Sequence, residues 1–336
     1  MKALHLIRNE TFVLKETPVP QIVEDEMLIK VAYTGICGSD LSIRAGKNPR
    51  VTYPLIMGHE LSGEVVEMGS ACTGEIRLGD AVTVNPLLSC GQCELCMQGW
   101  THLCRNFGLY GIDVDGAFAD YIKVKGRHVH KVPDEVSLDT AALTEPFAVG
   151  IHAVERSHLT IGDKVFVLGG GPIGLMVALA ARAAGAELVA VSEMSDDRLH
   201  IIRELGFIAI DAKKYRLLDK VHDLTNGMGA DIVFDAAAVK KTSAQMTSIL
   251  RTRGTAVIVG LQREPVPVDL GDVNLRELKV LGTMVYTNKS FRTAVKRLPE
   301  TKELQKLISH KLPLEKFEEG FSSAISKNGM KILLKS

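Results

Sequence analysis

Short apolar runs punctuate the first 145 or so residues: MLIKVAY, GEVVEM, DAVTVN and ADYIKV, each bounded by Gly, Asp or Pro. They have the length of strands. LGD at 78–80 reads as a turn feeding one of them. No long 3.6-residue period interrupts the series, so this part is expected to be a mostly β barrel or sandwich.

The texture changes after Pro146. KVFVLG (164–169) is an apolar run that ends in glycines, and PIGLMVALAARAAG (172–185) is helical by composition and length. ELVAVSE (187–193), a polar helix through RLHIIRELG, FIAI, DIVFDA (231–236), another helix and TAVIVG (255–260) follow. Strands alternating with helices predict βαβ units in a parallel, doubly wound sheet, and the uniformly apolar strands fit burial on both faces. KVLGTMV (279–285) offers one more strand. The tail, with a helix in FRTAVKRL and a final strand in KILLKS, is too short to fold alone and is expected to pack back onto the first domain.

Composition narrows the partners. Lysine plus arginine equals aspartate plus glutamate, 40 against 40 in 336 residues, which argues against nucleic-acid and membrane partners. A 46% hydrophobic content without low-complexity tracts argues against disorder and is ample for about two domains. The apolar stretch before Arg8 is too short for a secretory signal, and the uncharged stretch Val165–Ala181 is broken by three glycines and Pro172. A cytoplasmic protein is expected.

Gly169-Gly170-Gly171-Pro172-Ile173-Gly174 follows the strand KVFVLG and opens a helix. Gly169, Gly171 and Gly174 fit G-x-G-x-x-G, where the backbone must turn tightly and approach a pyrophosphate held at a helix N-terminus. Glu193 ends the next strand, about 20 residues on, where a carboxylate accepts from ribose hydroxyls and repels a 2′-phosphate. NAD is therefore expected over NADP.

Four of the six cysteines, Cys90, Cys93, Cys96 and Cys104, share one loop. Four thiolates close a tetrahedral zinc shell with no open position, so that ion is expected to be structural. Cys72 stands apart and reads as a small buried residue. A second constellation is dispersed: Cys37 beside Ser39 and Asp40 in GICGSD, His59 beside Glu60 in GHE, and Glu145 in TEP. A thiolate, an imidazole and a carboxylate can hold a zinc with room for substrate. Spacing alone does not show that they meet.

Taken together, GICGSD, the GHE-x2-G-x5-G run from Gly58 to Gly69, the cysteine loop, AALTEPFAVGIHA and GGGPIG resemble the zinc-dependent medium-chain dehydrogenase/reductase family from end to end, closest in look to butanediol, sorbitol and threonine dehydrogenases. The resemblance implies an α/β chain. A mostly-β GroES-like catalytic domain (1–147 and 286–336) accompanies a Rossmann NAD-binding domain (148–285). It implies two zinc ions per chain, one catalytic and one structural, NAD, and a homo-oligomer (dimer or tetramer). Cys37, His59 and Glu145 would hold the catalytic zinc, with Glu60 a direct or exchanging ligand and Asp40 fixing the tautomer of His59. Arg198 would lie near the adenosine, Ile173 on the nicotinamide side, and Leu261 with Thr283 to Val285 at the strand ends above it.

The implied reaction moves a hydride between NAD and a secondary alcohol, with Ser39 passing the hydroxyl proton onward. The expected substrate is a small vicinal diol, hydroxyketone or sugar-derived polyol, with pocket loops near Tyr53, Phe107, Tyr110 and Phe118. Threonine and a sugar acid (galactonate-type) are the alternatives within enzymes, and a catalytically inactive dinucleotide-binding protein the alternative outside them. Two departures stand out. Ser42 occupies a position where many relatives carry a proton-relaying histidine, which leaves the outer relay unassigned. Val285 replaces the arginine with which sorbitol dehydrogenases grip a polyol, although Tyr286 is retained, and this argues against a long, highly hydroxylated substrate.

Overall fold

A computed structural model describes residues 1–262 and 264–336. Two compact units emerge, Met1–Glu145 with Thr287–Ser336, and Pro146–Tyr286. The resemblance implies breaks at 147/148 and 285/286.

The second unit is built on six strands, Lys164–Leu168, Leu188–Glu193, Ile208–Asp211, Ala230–Asp235, Leu250–Ile258 and Lys279–Gly282. All are paired in parallel, and their spatial order is third, second, first, fourth, fifth, sixth. That is the Rossmann order, which reverses beside the first strand and opens a crevice at that strand's carboxyl end. Phe166, Ala190, Ile210, Val233 and Ala256 form its buried core with the helices laid against them. The fifth strand starts earlier than TAVIVG suggests, because Leu250 already pairs with Ala230 before the register shifts at Ile232. Helix Leu217–Thr225 escaped the sequence reading: it buries Leu217, Val221 and Thr225, a stripe interrupted by charged residues.

In the first unit the main sheet runs Val129–Lys131, Ala81–Val84, Glu60–Met68, Glu26–Gly35, Lys331–Lys335, Ile308–Pro313, and Tyr121–Lys125 also pairs with Glu26–Gly35. Ile29, Val31, Leu61, Val65, Val82 and Val84 fill the core beneath it. The tail therefore joins this unit by inserting Lys331–Lys335 beside Glu26–Gly35, with Leu333 opposite Gly35. The unit is mostly β as expected, and helices Gly38–Arg44, Leu138–Ala141, Asn288–Arg297 and Phe317–Ile325 also belong to it, the third of them being the helix expected in the tail. Among the described residues no helix is long and apolar enough to cross a membrane.

Candidate functional site

Three strands and a short helix assemble the first cluster. Glu26–Gly35 ends just before Cys37, which caps helix Gly38–Arg44 in an extended conformation. The Asp40 carboxylate accepts from the Cys37 backbone N–H at 2.8 Å. Gly35 pairs directly with Glu60 across the sheet, and a Cβ at Gly35 would meet Glu60 Oε2 at 2.1 Å. Glycine is required there because the Glu60 carboxylate occupies the space a side chain would need.

The ligand atoms of Cys37, His59 and Glu60 lie within 4.8 Å of one another. Ser39 Oγ stands 3.4 Å from His59 Nε2, and Asp40 Oδ1 stands 3.6 Å from Nδ1 on the other side of the ring. Both of these last two atoms are buried without a hydrogen-bond partner. Glu145, buried in the first turn of helix Thr144–Ser157, is outside the 4.8 Å group, yet its charge acts on His59. Burial pushes the Asp40 carboxyl up to about 6 against the pull of His59. Burial also disfavours a charged His59 ring, but Asp40, Cys37 and Glu145 lift its pKa well above the usual value. A ring held among a carboxylate, a thiol and a second carboxylate marks a place made for a cation. The mixed sulfur, nitrogen and oxygen donor set fits zinc.

Lys331 is the residue that sequence reading missed. It is 3% exposed, and its ammonium donates to Glu60 Oε1 at 2.7 Å and to Glu60 Oε2 as well. Burial works against the charge, but Glu60, Cys37 and Glu145 raise its pKa above the ordinary lysine value. In the sequence it was one polar residue opening the strand KILLKS, with nothing local to show that it reaches a carboxylate 271 positions away.

The four loop cysteines also converge. Cys104 Sγ lies 3.4 Å from Cys90 Sγ and 3.9 Å from Cys93 Sγ, and Cys90 lies 3.9 Å from Cys96. None is oxidised. Backbone N–H groups of Cys90 and Asn106 donate to Cys104 Sγ at 3.3 Å each. Backbone hydrogen bonds bring the Cys93 thiol down to about 6, whereas burial pushes Cys96 up to about 12. Metal binding requires all four as thiolates, so a bound cation would settle this disparity. Cys72 is half-buried beside the Glu26 carbonyl and is not part of either group.

In the Rossmann unit, Gly169 turns at φ +101°, and a Cβ on Gly174 would fall 1.9 Å from the Gly169 carbonyl oxygen. Gly171 caps the helix that begins with Pro172, and Ile173 follows in its first turn, partly buried. Glu193 is anchored at this loop: Gly170 N–H donates to Oε2 at 3.0 Å, and Met194 and Ser195 N–H donate to Oε1 at 2.6 and 3.0 Å. Arg198 Nη1 lies 3.7 Å from the same carboxylate. Leu261, 87% exposed, follows the fifth strand, and Thr283 follows the sixth with its N–H on the Ile258 carbonyl at 3.2 Å. Val285 holds φ +38°, a strained conformation for a β-branched residue, and Tyr286 after it is fully buried.

The four aromatic residues near the expected pocket loops take up local contacts. Phe118 is fully buried and packs edge-on against Phe321, and the Tyr110 hydroxyl accepts from Lys125 N–H, so both serve the core. Phe107 lies under the Arg50 guanidinium, and the Tyr53 hydroxyl donates to Asn9. Ser42 sits partly buried on helix Gly38–Arg44.

With this geometry in view, comparison with known proteins decides the family. Residues 23–134 match the alcohol dehydrogenase GroES-like domain and residues 172–300 the zinc-binding dehydrogenase domain. A 2-dehydro-3-deoxy-L-galactonate 5-dehydrogenase of Pseudoalteromonas atlantica is 37% identical over 99% of this chain and 98% of its own. The chain belongs to the zinc-dependent medium-chain dehydrogenase/reductase family. An L-threonine 3-dehydrogenase of Bacillus velezensis is also 37% identical, over 96% of this chain and 94% of its own. Among solved structures, a 2R,3R-butanediol dehydrogenase of Bacillus subtilis matches with a TM-score of 0.93 at 32% identity, covering 100% of this chain and 99% of that one. The family members that it resembles are dehydrogenases of alcohols, polyols and related compounds, and this chain is an alcohol or polyol dehydrogenase of that zinc-binding type.

Proposed function

We propose that the protein transfers a hydride between NAD and a secondary alcohol, a small vicinal diol, hydroxyketone or sugar-derived polyol. The observation that carries this reading is the convergence of Cys37, His59 and Glu60, with Ser39 beside Nε2 of the His59 ring. A bound zinc would supply Lewis acidity that makes the alcohol easier to ionise, with NAD as the hydride acceptor. Cys37, His59 and a carboxylate, Glu145 or Glu60, would hold the cation. Ser39 accepts the proton of the substrate hydroxyl and passes it on. Asp40 holds Nδ1 of His59 so that Nε2 presents its lone pair.

A sugar-acid substrate is the second reading, favoured by the galactonate-derivative dehydrogenase that matches nearly the whole chain. Following NAD reduction with diols, polyols, sugar acids and threonine, on protein whose zinc content has been measured, tests both. Turnover of a diol or polyol with two zinc ions per chain is expected. Preferred turnover of a sugar acid or of threonine selects that substrate class instead. Full zinc loading without any turnover would leave the inactive nucleotide-binding reading standing.

Glu193 is assigned to the adenosine ribose, and its three backbone donors support that role by fixing the carboxylate at the loop's edge. Replacing Glu193 by alanine removes hydrogen bonds to a charged group and frees Arg198 to meet a 2′-phosphate. The NAD-over-NADP ratio of kcat/KM is expected to fall by roughly 10- to 100-fold. An unchanged ratio in steady-state assays with both cofactors would refute the assignment.

A further inference from the structure

The first unit contains a small polar cavity that shares no lining residue with either cysteine cluster. It lies where strand Ala81–Val84 leaves its partner Val129–Lys131 and helix Asn288–Arg297 begins, and its volume is about 170 Å³. Typical small-molecule pockets run to roughly 300–1,000 Å³, so this one suits an ion or a single functional group.

Its chemistry is one-sided. Arg127, Arg292, His128, His130, Asn85 and Asn288 line it, and no carboxylate does. Among the described residues neither guanidinium has a carboxylate within ion-pair distance, although the charge of Arg127 acts on Asp25, and both arginines are exposed. Arg127 donates through Nε to His128 Nε2 at 3.3 Å. With Nε2 accepting, a neutral His128 ring must carry its proton on Nδ1, and that N–H is buried without any acceptor. The residue is only 7% exposed.

Burial lowers both His128 and His130 to about 4, and every charge that acts on them is positive: Arg127, His130 and Lys125 on the first, Arg292 on the second. Both rings are therefore neutral at physiological pH and serve as donors or acceptors. Asn85 Nδ2 donates to Asn288 Oδ1 at 2.9 Å, which ties the strand end to the helix across the cavity floor. The His128 ring N–H lacks an acceptor, and the lining around it carries two cationic side chains and no carboxylate. A water could satisfy the ring, but only an anion would also meet the positive charge that Arg127 and Arg292 bring to the lining.

We propose that this cavity binds a phosphate-type oxyanion, either free inorganic phosphate or the phosphoryl group of a larger metabolite. Planar guanidinium forks match such oxygens pairwise, and the His128 Nδ1–H supplies a further directed donor.

Calorimetric titration of the zinc-loaded chain with sodium phosphate, at constant ionic strength set by chloride, tests it. One saturable site is expected, weakened about tenfold or more in both Arg127→Gln and Arg292→Gln. His128→Phe, which keeps a ring beside Tyr110 and removes the N–H, should weaken it too. Unfolding curves in phosphate-free buffer establish that each variant is folded. Glycerol 3-phosphate distinguishes the sources: tighter binding with the same arginine dependence identifies an organic phosphate, and binding of inorganic phosphate alone identifies the free ion. No saturable heat at millimolar phosphate would overturn the proposal. Binding unchanged in both arginine variants would also overturn it, since the anion would then occupy the metal cluster or the glycine-rich loop.

Discussion

Replacing Cys37 by alanine is expected to lower kcat/KM about a thousandfold or more on any alcohol substrate. Lewis-acid stabilisation is worth several kcal/mol, and each 1.36 kcal/mol is a factor of about ten in rate. The thiol is the softest donor of the cluster, and the Cys37 backbone N–H also donates to Asp40, whose other oxygen lies 3.6 Å from His59 Nδ1. Alanine keeps the backbone N–H that Asp40 accepts, so the helix cap survives while the sulfur is lost. Metal analysis should then find one zinc per chain, retained by the cysteine loop, and the melting curve should shift little. Activity within tenfold of the parent, or two zinc ions still bound, would remove Cys37 from the site.

Much of this was legible because it is written locally. The strand KVFVLG, its glycines and the following helix lie within about twenty residues, and the physics that joins them is a tight turn, a close backbone approach and a helix end. The loop Cys90–Cys104 is equally local, and its four sulfurs lie within 4.8 Å of one another. What the sequence concealed depends on distant pairing. Gly35 matters because a strand register sets Glu60 opposite it, and Lys331 matters because the last strand slots in beside both. Gly170 was read as a variable position in the glycine motif, yet its N–H is one of the donors that fix Glu193. The helix Leu217–Thr225 was hidden by charges on its exposed face. The position of Glu145 relative to Cys37 and His59 rests on the helix start that holds it, a feature of packing rather than of the TEP triplet.

Lys331→Met is expected to destabilise the zinc-free protein by roughly 3–5 kcal/mol, because it strands the buried Glu60 carboxylate without a cation. The sign follows from charge balance. Zinc with one thiolate and one carboxylate is neutral, and so is Lys331 with Glu60; taken together, Cys37, Glu145, Glu60, Lys331 and the ion sum to zero. With the ammonium present, Glu60 is bonded to it, and Glu145 is expected to be the carboxylate that would then serve the metal. Without the ammonium, Glu60 is released towards Cys37 and His59, whose ligand atoms are already within 4.8 Å of it. Zinc should therefore recover part of the lost stability, so the penalty measured by denaturant unfolding should be larger for the zinc-free than for the zinc-loaded protein. The double variant Glu60→Gln with Lys331→Met removes both charges and should regain most of the loss, giving a large coupling energy in the double-mutant cycle. A penalty that is the same with and without zinc would show that Lys331 acts on packing alone, and independent, additive effects of the two substitutions would show that the ion pair does not govern which carboxylate faces the metal.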